Sequence, residues 1–140
     1  MDIKLSIQKI PPGGAHIFVS GRICGKRITY LIDTGASKSV MDKKYLTETF
    51  PDIPITEVTQ STAGLGAMYE KSEYAELQKI EIGGFKIAKK AFAVLDFTVI
   101  NTAYTQSGFK PIQAIIGGDI LVKYKGIVDY KKKALRLFKK

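Results

Sequence analysis

The residues best suited to chemistry are Asp33, Thr34, Gly35 and Ala36, which follow directly on the apolar, β-forming run Tyr30-Leu31-Ile32. A carboxyl delivered by an apolar strand enters poorly hydrated surroundings that disfavour its charged form, and a nearly neutral carboxyl can pass protons. Thr34 adds a hydroxyl that can hold the loop, Gly35 lets the backbone bend or approach a ligand, and Ala36 keeps the floor small. These are the parts of an acid–base site. The same residues also fit a plainer role, an Asx-type turn ending a strand, and any given tripeptide arises by chance in roughly one chain in sixty of this length.

A second stretch far downstream, Ala114-Ile115-Ile116-Gly117-Gly118-Asp119-Ile120-Leu121, runs an apolar strand into a glycine pair and then an apolar segment with an acidic first position. Between the two lies Gln60-Ser61-Thr62-Ala63-Gly64-Leu65-Gly66-Ala67, flanked by β-compatible residues and, taken alone, an ordinary glycine hairpin turn. In this order and spacing, Leu31 to Ala36, Ala63 to Ala67 and Ile115 to Leu121 resemble the retropepsin-like aspartic proteases. Subunits of that family carry an apolar-apolar-Asp-Thr-Gly-Ala strand and loop, a glycine-tipped flap, and an apolar-apolar-Gly-x-Asp/Asn-apolar-Leu strand and helix. The resemblance covers most of the chain, and the flap is its least specific part.

The resemblance implies an all-β fold: a closed or folded β-barrel subunit with a flap hairpin and one or two short helices, in a homodimeric acid-protease architecture. It implies an aspartic endopeptidase in which Asp33 is the catalytic dyad member. Thr34 would hydrogen-bond across the dimer axis, Gly35 would offer its carbonyl to the substrate backbone, and Ala36 would complete the loop. Ala63, Gly64, Leu65 and Gly66 would form the flap over a bound peptide, and Ile115, Ile116 and Gly117 would wall the cleft and support the loop. The attacking group would be water, with no metal or cofactor.

Such chemistry needs two carboxyls close enough to share a proton, one accepting from water and the other donating to the peptide carbonyl. The chain has one Asp-Thr-Gly. Asp119 is the internal candidate for the partner, but its place at the start of an apolar run reads as a helix cap. A two-fold dimer in which the Asp33 residues meet is the remaining solution. Many viral members pair an acidic residue at the position of Ser37 with a basic one at Gly118, and both ends of that pair are missing here. The dimer is therefore expected to be held by terminal strands and the basic hairpin. Ala36 also lacks the hydroxyl that two-lobed aspartic proteases place beside their catalytic Asp, so activity is expected nearer to neutral pH than in pepsin-like enzymes. The alternative reading is a retropepsin-shaped peptide-binding or dimerisation module with little or no turnover.

The elements that must position these residues are mostly strands. Ile3 to Ile10 alternates like an edge strand and ends at Pro11-Pro12-Gly13-Gly14, and His16 to Cys24 and Arg27 to Asp33 form a hairpin around Gly25-Lys26. Asp42 can cap a short helix through Phe50, closed by Pro51. Glu76 to Ile82 and Phe85 to Phe97 read as a hairpin across Gly83-Gly84, and Gly126 to Tyr130 with Ala134 to Phe138 as a closing one. Residues Thr98 to Pro111 fit a short helix or an irregular loop.

The 140 residues, 45% of them hydrophobic, suit a single domain, 1–140, with a modest core. One Cys, Cys24, allows no intrachain disulfide, and the lone His16 has no Cys pair to build a zinc site with. No elbow motif supports a Ser-His or Cys-His nucleophile. No apolar window is long enough to span a membrane and no signal peptide begins at Met1, so a cytoplasmic location is the default expectation, open to change by a leader or anchor removed before residue 1. The net charge of +9 is concentrated after Lys123. Without interleaved aromatic residues for stacking, that tail reads as a solvated face rather than a nucleic-acid site.

Overall fold

Turn chemistry and period-two alternation build most of the chain into short strands. The computed structural model describes residues 1–62 and 68–139. From the N-terminus, β1 (Asp2–Lys4) and β2 (Ser6–Ile10) lead into a hairpin of β3 (Gly14–Ile23) and β4 (Lys26–Ile32). After the loop 33–39 come β5 (Val40–Asp42), α1 (Lys43–Thr49), and the antiparallel pair β6 (Thr56–Thr62) and β7 (Met68–Leu77). Then follow β8 (Ile80–Ile82), β9 (Phe85–Ile87), β10 (Lys90–Leu95), α2 (Thr98–Gln106), β11 (Ala114–Ile116), α3 (Gly118–Lys123), β12 (Ile127–Asp129) and β13 (Ala134–Arg136).

A ten-stranded sheet runs β6-β7-β10-β5-β11-β4-β3-β8-β9, with β2 added on β3, and a three-stranded sheet runs β1-β13-β12. The β3–β4 turn places Cys24 and Gly25 at φ 49° and 81°, the left-handed pair that a two-residue hairpin of matching twist requires. At the centre, β11 lies parallel to β4, pairing Ile115 with Leu31 and Ile116 with Ile32. Alternation then divides these strands between two cores. Tyr30, Ile32, Ala114 and Ile116 face the main core with Met41, Ile120, Leu135 and Leu137. Leu31 and Ile115 face a smaller cluster with Phe18, Val40, Phe97, Tyr104 and Ile112. Both faces of β4 and β11 are therefore covered, which explains their unbroken apolar runs. Each such side chain contributes about 1.5–3 kcal/mol on burial, so the end of β4 stands on a stiff base.

Several boundaries differ from the sequence expectation. Residues 3–10 are split at Leu5, whose N–H bonds to the carbonyl of Lys133, so that β1 joins β13 while β2 joins β3. The stretch 76–97 is broken at Lys79, in the left-handed region at φ 52°, and again between β9 and β10, where the Ala88 N–H bonds to the Tyr124 hydroxyl. Residues 98–106 are helical, which gives three short helices among the described residues rather than one or two. Asp42 caps α1 as expected, its Oδ2 accepting from the Tyr45 N–H at 3.3 Å, while Oδ1 takes the Phe97 N–H at 3.0 Å and ties the start of α2 to β5.

Candidate active site

Asp33 is the first residue past β4, and its N–H donates to the carbonyl of Ile116 at 3.0 Å, which ties it to the end of β11. Its Oδ1 accepts from the Gly35 N–H at 2.9 Å and its carbonyl accepts from the Ala36 N–H at 3.2 Å. The plainer sequence reading, an Asx turn, is thus present. The turn engages one carboxylate oxygen, and among the described residues no donor reaches Oδ2. Asp33 is half-buried in the isolated subunit, Thr34 and Gly35 are exposed, and Ala36 is half-buried. The strong exclusion of water expected for Asp33 from its apolar approach is only partly met within one chain.

The loop after Asp33 is held by the first turn of α3. The Gly118 N–H donates to the Ala36 carbonyl at 2.7 Å and the Asp119 N–H to the Ser37 carbonyl at 3.2 Å. Ser39, fully buried, donates its hydroxyl to Asp119 Oδ1 at 2.7 Å and its N–H to Asp119 Oδ2 at 2.9 Å, and its Oγ accepts the Gly117 N–H at 2.9 Å. Lys90 on β10 adds an ion pair to Asp119 at 3.2 Å. Asp119 is therefore not the helix cap expected from its position: Gly117 occupies the cap, and Asp119 sits in the first turn and reaches back to the loop. Both its oxygens are engaged, so it is not free to pair with Asp33. Sequence reading missed Ser39 and Lys90. A serine directly before the apolar pair Val40-Met41 was the available signal for the first.

Burial resists ionisation of Asp119, but the Ser39 N–H and hydroxyl, the Ile120 N–H and Lys90 outweigh it, and the carboxyl stays below its ordinary value. A carboxyl lowered on folding contributes stability that is fully present above its unfolded value, about 3.9, and is lost as pH falls through the folded value. Asp119→Ala should thus lower stability by about 2 kcal/mol at neutral pH, the worth of a charge-assisted hydrogen bond with its partner left unpaired. The gap to the native protein should narrow as acid is added, read by urea unfolding at a series of pH values. A gap independent of pH would contradict the assignment.

Asp33 opens onto a groove of about 340 Å³ lined by Ala15, His16, Ile17, Leu31, Ile32, Thr34, Val128 and Tyr130. A larger groove, about 830 Å³, lies along β1, β2 and residues 108–110, but no carboxyl lines it. Of the expected cleft wall, Ile115 shares the small core with Leu31, Ile116 is enclosed in the main core, and Gly117 packs against the backbone of residues 36–38. The expected flap residues Ala63, Gly64, Leu65 and Gly66 lie outside the described residues, between strands paired from Thr56↔Tyr74 to Thr62↔Met68. Among the described residues no three His, Cys, Asp or Glu side chains converge on a metal-sized site, and no helix is long and apolar enough to cross a membrane.

Residues 19–120 match the aspartyl protease family. The fold is similar to the retropepsin-like aspartic protease from Rickettsia conorii, with a TM-score of 0.57 and 16% identity over 96% of this chain and 86% of that one. It is also similar to the retroviral protease-like domain of Ddi1 from Leishmania major, with a TM-score of 0.53 and 19% identity over 86% of each chain. No curated protein sequence matches. At these identities the structural likeness speaks for the fold.

Proposed function

The chain belongs to the aspartyl protease family and has its retropepsin-like fold, and on that premise we propose that it is a homodimeric aspartic endopeptidase working through one Asp33 from each subunit. The observation that carries this reading is the setting of Asp33: its backbone is tied to the ends of two buried strands, its Oδ1 is bonded by its own loop, and it lines the groove. The other acid anchored near this loop, Asp119, is committed to Ser39 and Lys90, so the second carboxyl comes from a second copy.

Two carboxyls at contact cannot both ionise, and the pair holds one proton. The ionised member takes a proton from a water whose oxygen adds to the peptide carbonyl carbon, and the protonated member gives its proton to the carbonyl oxygen. Collapse of the tetrahedral gem-diol breaks the C–N bond: the departing amine takes a proton from the protonated member, while the ionised member takes the proton of one gem-diol hydroxyl as the carbonyl re-forms, which restores the one-proton pair. Thr34 braces the two loops across the axis, the Gly35 carbonyl and residues 63–66 hold the substrate main chain, and Leu31 and Ile115 supply apolar wall. Water is the nucleophile, with no metal or cofactor in the step, and the substrate is an extended peptide.

A subunit that carries half a site makes the rate depend on concentration. With a peptide library as substrate, cleavage should rise as the square of protein concentration while monomers predominate and become linear once dimers do. Ser37 and Gly118, which leave no ion pair between loop and helix, favour the second reading, a peptide-binding module without turnover. Peptide binding with no product at any concentration would establish that reading instead.

A further inference from the structure

Resting on the reading of Asp33 as half of a proton-sharing pair, we propose that His16 is a specificity-determining residue of the same groove, whose Nε2–H receives a hydrogen-bond-accepting side chain, carboxylate or carboxamide, of the bound peptide. The β3–β4 pairing ends at Ile17↔Ile32, and the next position on each strand is His16 on one and Asp33 on the other. His16 and Asp33 line one groove, and alternation puts His16 on the strand face of Phe18, which packs with Leu31 in the smaller core.

The imidazole is exposed, yet its orientation is fixed. Its Nδ1 lies 2.6 Å from the hydroxyl of the buried Tyr104 on α2, with the two rings edge to face at 5.6 Å. Burial pushes the Tyr104 phenol up, and the charge of Asp33 pushes it further. Among the described residues the Tyr104 hydroxyl has no other side-chain hydrogen-bond partner, so the buried phenol proton is paired only when it points to Nδ1; with Nδ1 accepting, the ring hydrogen sits on Nε2. Among the described residues His16 makes no ion pair with Asp33 and no other side-chain hydrogen bond. His16 thus joins Asp33, Thr34 and Tyr130 as the polar groups of a groove whose other lining, Ile17, Leu31, Ile32 and Val128 among it, is apolar. Apolar walls separate side chains of similar shape poorly, whereas a placed donor favours a partner that can accept from it. The net charge of +9 adds a long-range bias towards acidic peptides.

The test uses fluorescein-labelled peptides in which one position at a time holds Glu, Gln, Leu or Lys. Binding is read by fluorescence polarisation on Asp33→Asn protein, so that recognition is measured without turnover. At one position Glu and Gln should bind about fivefold tighter than Leu, the factor expected of a single hydrogen bond. His16→Ala should erase that ratio, and His16→Gln, which keeps an N–H donor, should retain part of it. A His16 that only steadies the fold would weaken all four peptides alike and leave the ratio intact, which overturns the proposal. If peptides bind and the ratio survives His16→Ala, only the role of His16 falls. If no peptide binds either the native or the Asp33→Asn protein, the endopeptidase reading falls with it.

Discussion

Asp33→Asn should abolish peptide cleavage, by at least about a thousandfold, while leaving the fold in place. The carboxamide is nearly isosteric, and its oxygen can still accept the Gly35 N–H that closes the turn, so the stability change should stay within about 0.5 kcal/mol. What is lost is the proton. Positioned acid–base catalysis contributes about 10²–10⁴-fold, and a pair of amides can neither deprotonate water nor protonate a carbonyl. The variant should also poison the native protein: mixed with excess Asp33→Asn subunits, most native subunits sit in dimers with one acid, and activity falls far below the sum of the parts. A variant that keeps a tenth of native kcat/KM with an unchanged unfolding curve would remove Asp33 from the chemistry.

Gly117→Ala should be nearly as damaging, for a steric reason. A Cβ there would stand 2.7 Å from the Ala36 carbonyl oxygen and 2.8 Å from both the carbonyl carbon and oxygen of Lys38. All three are backbone atoms of the loop that carries Asp33, and none can rotate aside. Either the loop or α3 must shift, and the Gly117 N–H to Ser39 Oγ bond goes with it. Overpacking of this kind costs about 1–3 kcal/mol, and displacing a reacting group by about 1 Å can cost 10²-fold in rate. Gly118→Ala is the control: its Cβ meets nothing closer than 3.5 Å, so it should leave both stability and cleavage close to native. Equal tolerance of the two substitutions would show that the loop does not depend on that close approach.

The parts of the site that were legible in the sequence are those set by local rules. Leu31-Ile32 and Ile115-Ile116 stand out because strands covered on both faces need unbroken apolar runs, and Asp42 announced the start of α1 through its own turn. Long-range bonds left no such trace. Asp42 also holds the Phe97 N–H, 55 positions away, and Asp119 looked like a cap because nothing local shows that Ser39 is its partner. Helix α2 was ambiguous because Thr98, Val99, Ile100, Thr102 and Thr105 are poor helix formers. It is held by tertiary contacts: Asn101 exchanges two hydrogen bonds with the backbone of Ile112, and Tyr104 packs among Phe18, Phe109 and His16. The break at Leu5 is hidden for the same reason, since residues 3–10 alternate without interruption while the two halves pair with different strands.

The most direct measurement is the separation of the two Asp33 carboxyls in a crystal of the assembled protein. The account requires a two-fold axis between them and an approach of about 3 Å, near enough to share one proton and one water. Carboxyls held more than about 6 Å apart, beyond the span of a single bridging water, in a protein that nevertheless cleaves peptides, would contradict it.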